Sequence, residues 1–215
     1  MLVDSRRGLL VSGLLLAGAA LVTLLYVLPA TRPGLQAMDD AVWRSAGAVE
    51  NRPATVVAVG LSWLGSAVVN WPLRAAALLL LAWRRHWLRA AAFTLAVVTS
   101  ELIIGPVKDL TDRPRPLGAL IETTAAFFPS GHAIGTAVTA VGLVLVLALP
   151  GPSRWQWELR AVEFTAVMAL SRVYLRAHWL SDTVAGALLG AGLALGWPAL
   201  LMALRARREP AAPLG

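Results

Sequence analysis

The sequence predicts an all-α membrane protein, a bundle of six transmembrane helices with a short interfacial helix after the first span. Of its 215 residues, 58% are hydrophobic and 14% are charged, whereas a soluble domain has about 25% charged residues. The apolar residues also form runs of roughly 20 residues, the length that a helix needs to cross a bilayer. We therefore treat residues 1–215 as one polytopic membrane domain whose partner is the lipid bilayer.

The predicted spans follow from these runs. Residues 8–28 form a retained anchor, because the run is longer than the apolar region of a signal peptide. The polar segment 31–53 fits a short helix on the membrane surface. Residues 54–83 are too long for a straight span, so we predict one crossing with a kink near Pro72. The remaining crossings are predicted at residues 90–107, 133–149, 159–177 and 183–204.

The last two crossings differ from an ordinary lipid-facing helix. The fifth contains Glu163 and Arg172, which predicts a helix surrounded by protein rather than by lipid. The sixth contains two pairs of glycines spaced four apart, Gly186 with Gly190 and Gly192 with Gly196. Small residues at this spacing favour close contact between helices.

The charge distribution predicts an orientation. The net charge of +7 comes mostly from basic residues that flank apolar segments, so it indicates membrane topology and not binding to nucleic acid. A small excess of these residues lies on the side of both termini. We therefore expect cytoplasmic termini in a cell membrane, with the opposite face on the exterior. The chain has no cysteine, which excludes thiolate chemistry and disulfides. The sequence does not indicate an oligomeric state.

Three polar motifs stand out between the spans. The first motif is residues 108–116 (KDLTDRPRP), the second is residues 129–132 (PSGH), and the third runs from Ser171 to Asp182. No long apolar run separates the first motif from the second, and two crossings separate the second from the third. All three motifs are therefore expected at the same face of the membrane.

The residue types in these motifs suit phosphoryl transfer. A transferring phosphoryl group is stabilised mainly by positioning and by cations on its oxygens, and Lys108, Arg115 and Arg172 can supply three cations. Ser130 and Gly131 stand where a helix begins, and unpaired amides at a helix start bind anions. With three cations available, we expect catalysis without a metal or another cofactor.

Two histidines complete the predicted chemistry. His132 lies on the first turn of the fourth crossing, where it can act as a general acid. His178 is followed four residues later by Asp182, and a carboxylate on one ring nitrogen leaves the other nitrogen free to attack. We therefore predict His178 as the nucleophile, through a phosphohistidine intermediate.

Two further residues are candidates with open alternatives. Arg113 lies inside the first motif and could contact the phosphate or the lipid headgroup, or could be an anchor at the membrane surface. Glu101 lies seven residues before Lys108, within a predicted span. A carboxylate there is either functional or part of a structural hydrogen bond in the bundle.

The motifs resemble those of the type 2 phosphatidic acid phosphatase family (PAP2), which shares its site with vanadium haloperoxidases and bacterial acid phosphatases. The shared pattern is Lys, six residues, Arg-Pro; then Pro-Ser-Gly-His; then Ser-Arg, five residues, His, three residues, Asp. The resemblance implies that His132 is the acid, His178 the nucleophile and Asp182 its partner. It implies phosphate binding by Lys108, Arg115, Ser130, Gly131 and Arg172.

The resemblance also implies a substrate class. The membrane branch of the family acts at the outer face on phosphatidic acid, phosphatidylglycerol phosphate or polyprenyl pyrophosphates, so the expected substrate is a membrane lipid phosphate. One alternative is a phosphotransferase that passes the same phosphohistidine to an alcohol. A more remote alternative is a transporter or a non-catalytic scaffold, although no repeat of the motif halves supports transport.

Overall fold

The computed structural model describes residues 4–122, 128–149, 151 and 153–208. Within these residues the chain is all-helical and contains no strand. The helices are α1 (Ser5–Val27), α2 (Arg32–Ala48), α3 (Arg52–Leu64), α4 (Ala67–Trp83), α5 (Trp87–Thr111), α6 (Gly131–Leu147), α7 (Arg154–Tyr174) and α8 (Leu180–Arg208).

Helix α8 lies at the centre of the bundle and packs most extensively on α1 and α6. On the α6 side, a β-carbon added at Gly186 would lie 2.7 Å from the carbonyl oxygen of Ser130. One added at Gly190 would lie 2.6 Å from the carbonyl oxygen of Ile134. Real β-carbons essentially never approach this closely, so these glycines allow the backbones of α6 and α8 to touch.

The second glycine pair faces α1. The hydroxyl of Ser12 donates to the carbonyl of Gly192 at 2.8 Å, and a β-carbon at Gly196 would meet the Ser12 hydroxyl at 2.5 Å. Farther along α1, Gly18 faces Leu188, so α1 and α8 run antiparallel. The prediction of close packing at both glycine pairs is confirmed. The start of α1 and the end of α8 consequently lie at the same end of the bundle.

Residues 54–83 form two helices rather than one helix with a kink at Pro72. The axes of α3 and α4 differ by 43°, and the break falls at Gly65 and Ser66, where Ser66 is extended with ψ of 163°. A β-carbon at Gly65 would lie 2.6 Å from the Met168 side chain. Pro72 lies inside α4. The predicted kink position was therefore wrong, and the chain bends instead at Gly65 and Ser66, where α3 meets the Met168 side chain of α7.

Fewer spans are evident than the six predicted. Among the described residues, α1, α5 and α8 are long and apolar enough to cross a membrane, and α3 with α4 form a fourth candidate if the bent pair is one span. Helix α6 is apolar but has 17 residues. Helix α7 includes the charged pairs Arg154–Glu158 and Arg160–Glu163. The count of six spans therefore stays a prediction.

Helix α2 occupies the segment where an interfacial helix was predicted. It has 17 residues, begins with a proline in its first turn and ends at Ala48. Its one buried residue is Asp39. The helix itself is confirmed, whereas its position at the membrane surface stays a prediction. Its only buried side chain is charged, and that side chain faces the candidate site described next.

Candidate active site

The first motif spans the end of α5 and the extended segment after it. Lys108 lies on the last turn of α5. The helix ends at Thr111 because Asp112 adopts a left-handed conformation with φ of 35°. The Thr111 hydroxyl is 3.2 Å from the carbonyl oxygen of Phe128 and donates to it, which ties the first motif to the chain just before the second. Arg115 follows in the extended segment, partly buried.

The second motif forms the start of α6. Ser130 is the N-cap, and its hydroxyl accepts a long hydrogen bond of 3.4 Å from the amide of Ala133. Gly131 is the first helical residue, and a β-carbon added there would have only the Ile104 side chain nearby, at 3.9 Å. Protein packing therefore does not require glycine at this position. The open space beside the first amides of α6 is suited to an anion.

The third motif joins α7 to α8 through a tight turn. Arg172 is on the last turn of α7, and Arg176 has a positive φ of 51° in the turn. His178 precedes α8 by two residues, whereas Asp182 is on its first turn. Their spacing of four residues would place the two side chains on one face if both were helical, but His178 lies in the turn. The turn nevertheless brings the His178 Nδ1 atom to 3.4 Å from the Asp182 Oδ2 atom.

Asp182 connects the motifs through several atoms. Its Oδ2 accepts a hydrogen bond from the Trp179 amide at 3.0 Å, and its main-chain carbonyl accepts one from the Ser130 amide at 3.0 Å. The His178 Nδ1 contact lacks good hydrogen-bond geometry, and such contacts are often long before substrate binds. Both side chains are buried. The fold therefore fixes the carboxylate beside the imidazole.

The predicted cations and histidines gather in one cluster. Lys108 lies close enough to Arg115 for their charges to interact, and Arg115 is similarly close to Arg172. His132 and His178 interact with each other and with both arginines. Like charges repel, so a cluster of cations that the fold holds together is suited to a multiply charged anion.

Electrostatics keep the His178 ring neutral. Burial lowers the pKa of His178 below its ordinary value of 6.5, and the neighbouring Asp182 opposes this effect without reversing it. Arg172 and Arg115 lower the pKa further. The pKa of Arg115 is also lowered by burial, although Asp182 raises it. A neutral imidazole has a lone pair available for attack, as a nucleophile requires.

Ser62 on α3 belongs to the site although no motif includes it. Its hydroxyl accepts a short hydrogen bond from the Arg172 Nη1 atom, and its main chain hydrogen-bonds to the His132 ring. It therefore touches both a predicted phosphate ligand and the predicted acid. The only signal in the sequence is a serine three residues before Gly65 in an apolar run, which is too common to single it out.

The structure pairs Arg113 with two carboxylates. Its guanidinium is buried and pairs with Asp39 at 2.6 Å and with Asp182 at 2.5 Å. It also lies over the Tyr26 ring, 4.5 Å from the centroid. These contacts favour a positioning role over the phosphate contact or the surface anchor considered from the sequence.

The structure gives Glu101 a partner within the bundle. Its carboxylate pairs with Arg74 at 2.9 Å. Arg74 is buried and also donates to the Thr139 hydroxyl at 2.9 Å and to the Gly135 carbonyl at 3.2 Å. The ion pair supports the structural alternative for Glu101. In the described part of the chain, no group of three His, Asp or Glu side chains is arranged to hold a metal ion.

Comparison with known proteins identifies the family. The sequence profile of the PAP2 superfamily matches residues 87–206, a segment that contains all three motifs. The chain belongs to the PAP2 superfamily. A decaprenylphosphoryl-5-phosphoribose phosphatase of Mycobacterium tuberculosis is 32% identical over 152 residues, which cover 67% of this chain and 79% of the relative. Phosphatidylglycerophosphatase B of Bacillus subtilis is 25% identical over 73% of this chain and 79% of its own length.

A further relative and a solved structure are also similar to the chain. An undecaprenyl-diphosphatase of Sulfolobus acidocaldarius is 40% identical over 63 residues, 29% of this chain and 28% of the relative. The crystal structure of a transmembrane PAP2 type phosphatidylglycerolphosphate phosphatase from Bacillus subtilis matches with a TM-score of 0.76 and 22% identity. The match covers 94% of this chain and 98% of that one, so the two share a fold. The predictions of a PAP2 membrane protein and of a phosphatase are confirmed.

Proposed function

We propose that this PAP2 protein hydrolyses the phosphate of a membrane lipid phosphate or pyrophosphate through a phosphohistidine intermediate. The observation that supports this most strongly is the His178 ring, buried beside Asp182 and next to a cluster of cations. Asp182 faces Nδ1, so Nε2 is the nitrogen left to attack phosphorus. The cations would bind the phosphoryl oxygens while the bond to the lipid breaks.

In the first step, the lone pair of the His178 Nε2 atom forms a bond to phosphorus. The bond from phosphorus to the lipid oxygen breaks, and its electron pair stays on that oxygen. In the free site, burial and the charges of Arg172 and His178 lower the pKa of His132 to about 3. The negative charge of the bound phosphate would raise this pKa, so that His132 can donate a proton to the lipid oxygen. The lipid then leaves as an alcohol or as a phosphate one unit shorter. Lys108, Arg115 and Arg172 stabilise the charge on the phosphoryl oxygens, together with the amides that follow Ser130.

In the second step, water attacks the phosphohistidine. His132, now unprotonated, accepts a proton from the water as the new bond to phosphorus forms. The bond between phosphorus and Nε2 breaks, and its electron pair returns to the imidazole. Inorganic phosphate leaves, and His132 is protonated again. The enzyme is then unchanged, and no metal is needed at either step.

An apolar groove beside the site supports a lipid substrate. It has a volume of about 410 Å³ and lies between α1, α5 and α8. Val107 and Pro129 line its wall, and they are the chain neighbours of Lys108 and Ser130. A lipid tail in this groove would place its phosphate beside the cation cluster. The relatives act on lipids with prenyl or glycerol cores, and we propose that this chain acts on one of these classes.

Phosphate release from a panel of lipids tests the function. The purified protein would be assayed with phosphatidic acid, phosphatidylglycerol phosphate and a polyprenyl pyrophosphate. We expect inorganic phosphate from at least one of them, and none from the His178→Asn variant. Loss of phosphate from the lipid only when an alcohol is present, with the alcohol phosphorylated and no inorganic phosphate formed, would indicate a phosphotransferase. No turnover of any member by well-folded protein would contradict the proposal.

Labelled phosphate separates the roles of the two histidines. We expect covalently trapped phosphate in the wild type and none in His178→Asn. His132→Asn should slow turnover of lipid substrates by about 10²–10⁴-fold, but should affect an activated nitrophenyl ester much less because its leaving group needs little protonation. Trapped phosphate in His178→Asn together with none in His132→Asn would reverse the two roles.

Metal independence has its own test. Because three cations can neutralise the phosphoryl group, activity is expected to survive an excess of chelator. Vanadate should inhibit, since it mimics the trigonal bipyramidal transition state. Complete loss of activity with chelator and recovery with magnesium would show that a metal takes part.

A further inference from the structure

Helix α2 reaches the candidate site through a buried ion network. Asp39 is 1% exposed and Arg113 is 2% exposed. The Asp39 Oδ2 atom lies 2.6 Å from the Arg113 Nη2 atom. The same carboxylate accepts hydrogen bonds from the amide and hydroxyl of Ser181, at 2.9 and 2.5 Å. Asp39 therefore binds both Arg113 of the first motif and the first turn of α8.

Arg113 continues the network to Asp182. Its Nη1 atom donates to the Asp182 Oδ1 atom at 2.5 Å and to the Ser181 hydroxyl at 2.6 Å. The other oxygen of Asp182, Oδ2, is the one that faces the His178 Nδ1 atom. Arg113 thus holds one oxygen of the carboxylate while the second oxygen is directed at the imidazole. A guanidinium can bridge two carboxylates in this manner because its donors form a rigid planar fork.

We propose that Asp39 and Arg113 are positioning residues: they hold the Asp182 carboxylate in place so that it can fix the His178 ring. Helix α2 would then form part of the catalytic apparatus. The inference rests on the proposed role of His178 and extends it to a helix outside the three motifs. Neither residue contacts the phosphate. They act through Asp182.

The composition of α2 supports a specific role for this contact. Asp39 is the one fully buried residue of the helix, whereas its apolar residues Leu35, Val42 and Trp43 are half-buried, so apolar burial does not account for the contacts that Asp39 makes. A buried carboxylate without a partner is strongly disfavoured, and a buried ion pair is often no better for stability than apolar packing. The buried charges at this position are therefore better explained by what they hold in place than by stability alone.

Charged groups from four parts of the chain surround His178. They are Asp182 on α8, Arg172 on α7, His132 on α6 and Arg115 in the segment after α5. Three of these groups are positive or can become positive, and Asp182 is the one carboxylate among them. The tautomer of His178 consequently depends on the position of a single side chain. If Arg113 no longer held Asp182 Oδ1, the carboxylate could rotate. Neither nitrogen of the His178 ring would then have a fixed hydrogen-bond partner.

Nitrogen NMR of the histidine rings tests the proposal directly. The chain has three histidines, so ¹⁵N-histidine labelling gives few signals, and loss of one set in His178→Asn assigns the ring. We expect a neutral wild-type ring with its proton on Nδ1. Asp39→Asn and Arg113→Lys should give a mixture of tautomers. In both variants, kcat for nitrophenyl phosphate should fall about tenfold or more while KM changes little.

A matched control distinguishes positioning from general destabilisation. Asp40→Asn makes the same change at the next residue of α2, where Oδ1 accepts a hydrogen bond from the Gln36 Nε2 atom at 2.8 Å. Gln36 also accepts from Arg113 through Oε1 at 2.8 Å, and an asparagine at position 40 keeps an oxygen that can accept from Gln36. This variant should keep the wild-type tautomer and kcat. Ser181→Ala is the second variant, to be used if Asp39→Asn does not fold. It removes the hydroxyl shared by Asp39 and Arg113, and it should give a smaller shift toward mixed tautomers and a smaller fall in kcat.

The outcomes separate this proposal from the proposed function. A folded Asp39→Asn or Ser181→Ala variant with the wild-type tautomer and kcat would overturn the positioning role. A wild-type ring with its proton on Nε2 would instead contradict the nucleophilic role of His178. The ring signal is informative even if no lipid substrate is turned over, so the two failures cannot be confused.

Discussion

His178 has two nitrogens in different surroundings, and this difference determines how the site should respond to pH. Nδ1 faces the carboxylate of Asp182, and burial of the ring lowers its pKa below 6.5. When folding lowers the pKa of a group, the resulting stabilisation of the folded protein is complete at pH values above the pKa of that group in the unfolded chain. That stability is lost as the pH falls from about 6.5 toward the folded pKa. The neutral, reactive ring should therefore persist in mildly acidic solution.

The pH dependence of kcat/KM tests this expectation. We expect the acid limb for nitrophenyl phosphate to lie below pH 6.5, the ordinary pKa of histidine. Asp182→Asn should move the limb to still lower pH, because the carboxylate is the group that raises the pKa of the ring. The same variant should lower kcat by roughly 10²–10⁴-fold. An acid limb above pH 6.5 in the wild type would show that His178 reacts from a different electrostatic environment.

Alanine substitutions at Gly131 and Gly186 separate phosphate binding from packing of the fold. A β-carbon at Gly131 meets nothing nearer than 3.9 Å, whereas one at Gly186 would lie 2.7 Å from a carbonyl oxygen. Gly131→Ala should keep or raise the melting temperature but raise KM about tenfold, which corresponds to about 1.4 kcal/mol. Gly186→Ala should destabilise the fold by about 1–3 kcal/mol. Equal KM values for Gly131→Ala and the wild type would show that phosphate does not approach this glycine.

The motif residues could be predicted from the sequence, but their supporting residues could not. The spacing of charged and histidine residues indicates phosphoryl transfer without knowledge of the fold. Ser62 and Asp39 act across 110 and 142 residues of the chain, and each sits in a segment that looks ordinary. Only the packing of α3 and α2 against the motifs brings them to Arg172 and Ser181.

At the scale of elements, the bend between α3 and α4 is part of the site. It places the last turn of α3 against the start of α6 and the end of α7, where Ser62 touches His132 and Arg172. Helical periodicity locates the apolar segment correctly but does not locate the break. Proline is the usual cause of a kink, yet the chain bends at Gly65 and Ser66, where the end of the Met168 side chain packs against Gly65.

Two serines beside this bend provide a controlled test. Ser62→Ala removes a hydrogen bond to a buried arginine, which typically contributes about 1.5–3 kcal/mol. We expect kcat/KM to fall about tenfold or more. Ser66→Ala is the control, because its buried hydroxyl has no hydrogen-bond partner in the described part of the chain. Equal losses in the two variants would show that the bend matters only for folding.

At the scale of the whole molecule, the antiparallel packing of α1 on α8 sets the site and the described ends of the chain at opposite ends of the bundle. The three motifs lie at one end, where α6 and α8 begin. Ser5 and Arg208 lie at the other end. Charge counts from the sequence indicate only a slight preference for cytoplasmic termini, because several basic residues on the opposite side, among them Lys108, Arg115 and Arg172, lie in the cation cluster. We propose that the site faces the exterior.

Cysteine labelling tests this orientation. The chain has no cysteine, so single cysteines can be introduced at Leu117, beside the site, and at Leu149, after the opposite end of α6. Both side chains are exposed, at 82% and 74%. An impermeant reagent should label Leu117→Cys in intact cells and Leu149→Cys only after lysis. The reverse pattern would place the site in the cytoplasm.

The glycines of α8 also determine where the chain can vary. Two of its faces are occupied by backbone or by a short side chain, so Gly186, Gly190 and Gly196 have no room for even a methyl group. Gly18 on α1 meets only the flexible end of Leu188 at 3.2 Å, and Gly13 meets nothing within 4 Å. In a library of all single substitutions selected for activity, variants at the α8 glycines should be depleted. Most variants at Gly13 should be recovered. Redesign of substrate preference would then start most safely from exposed groove residues of α1 such as Ala20 and Leu24, which make none of the close contacts with the α8 glycines.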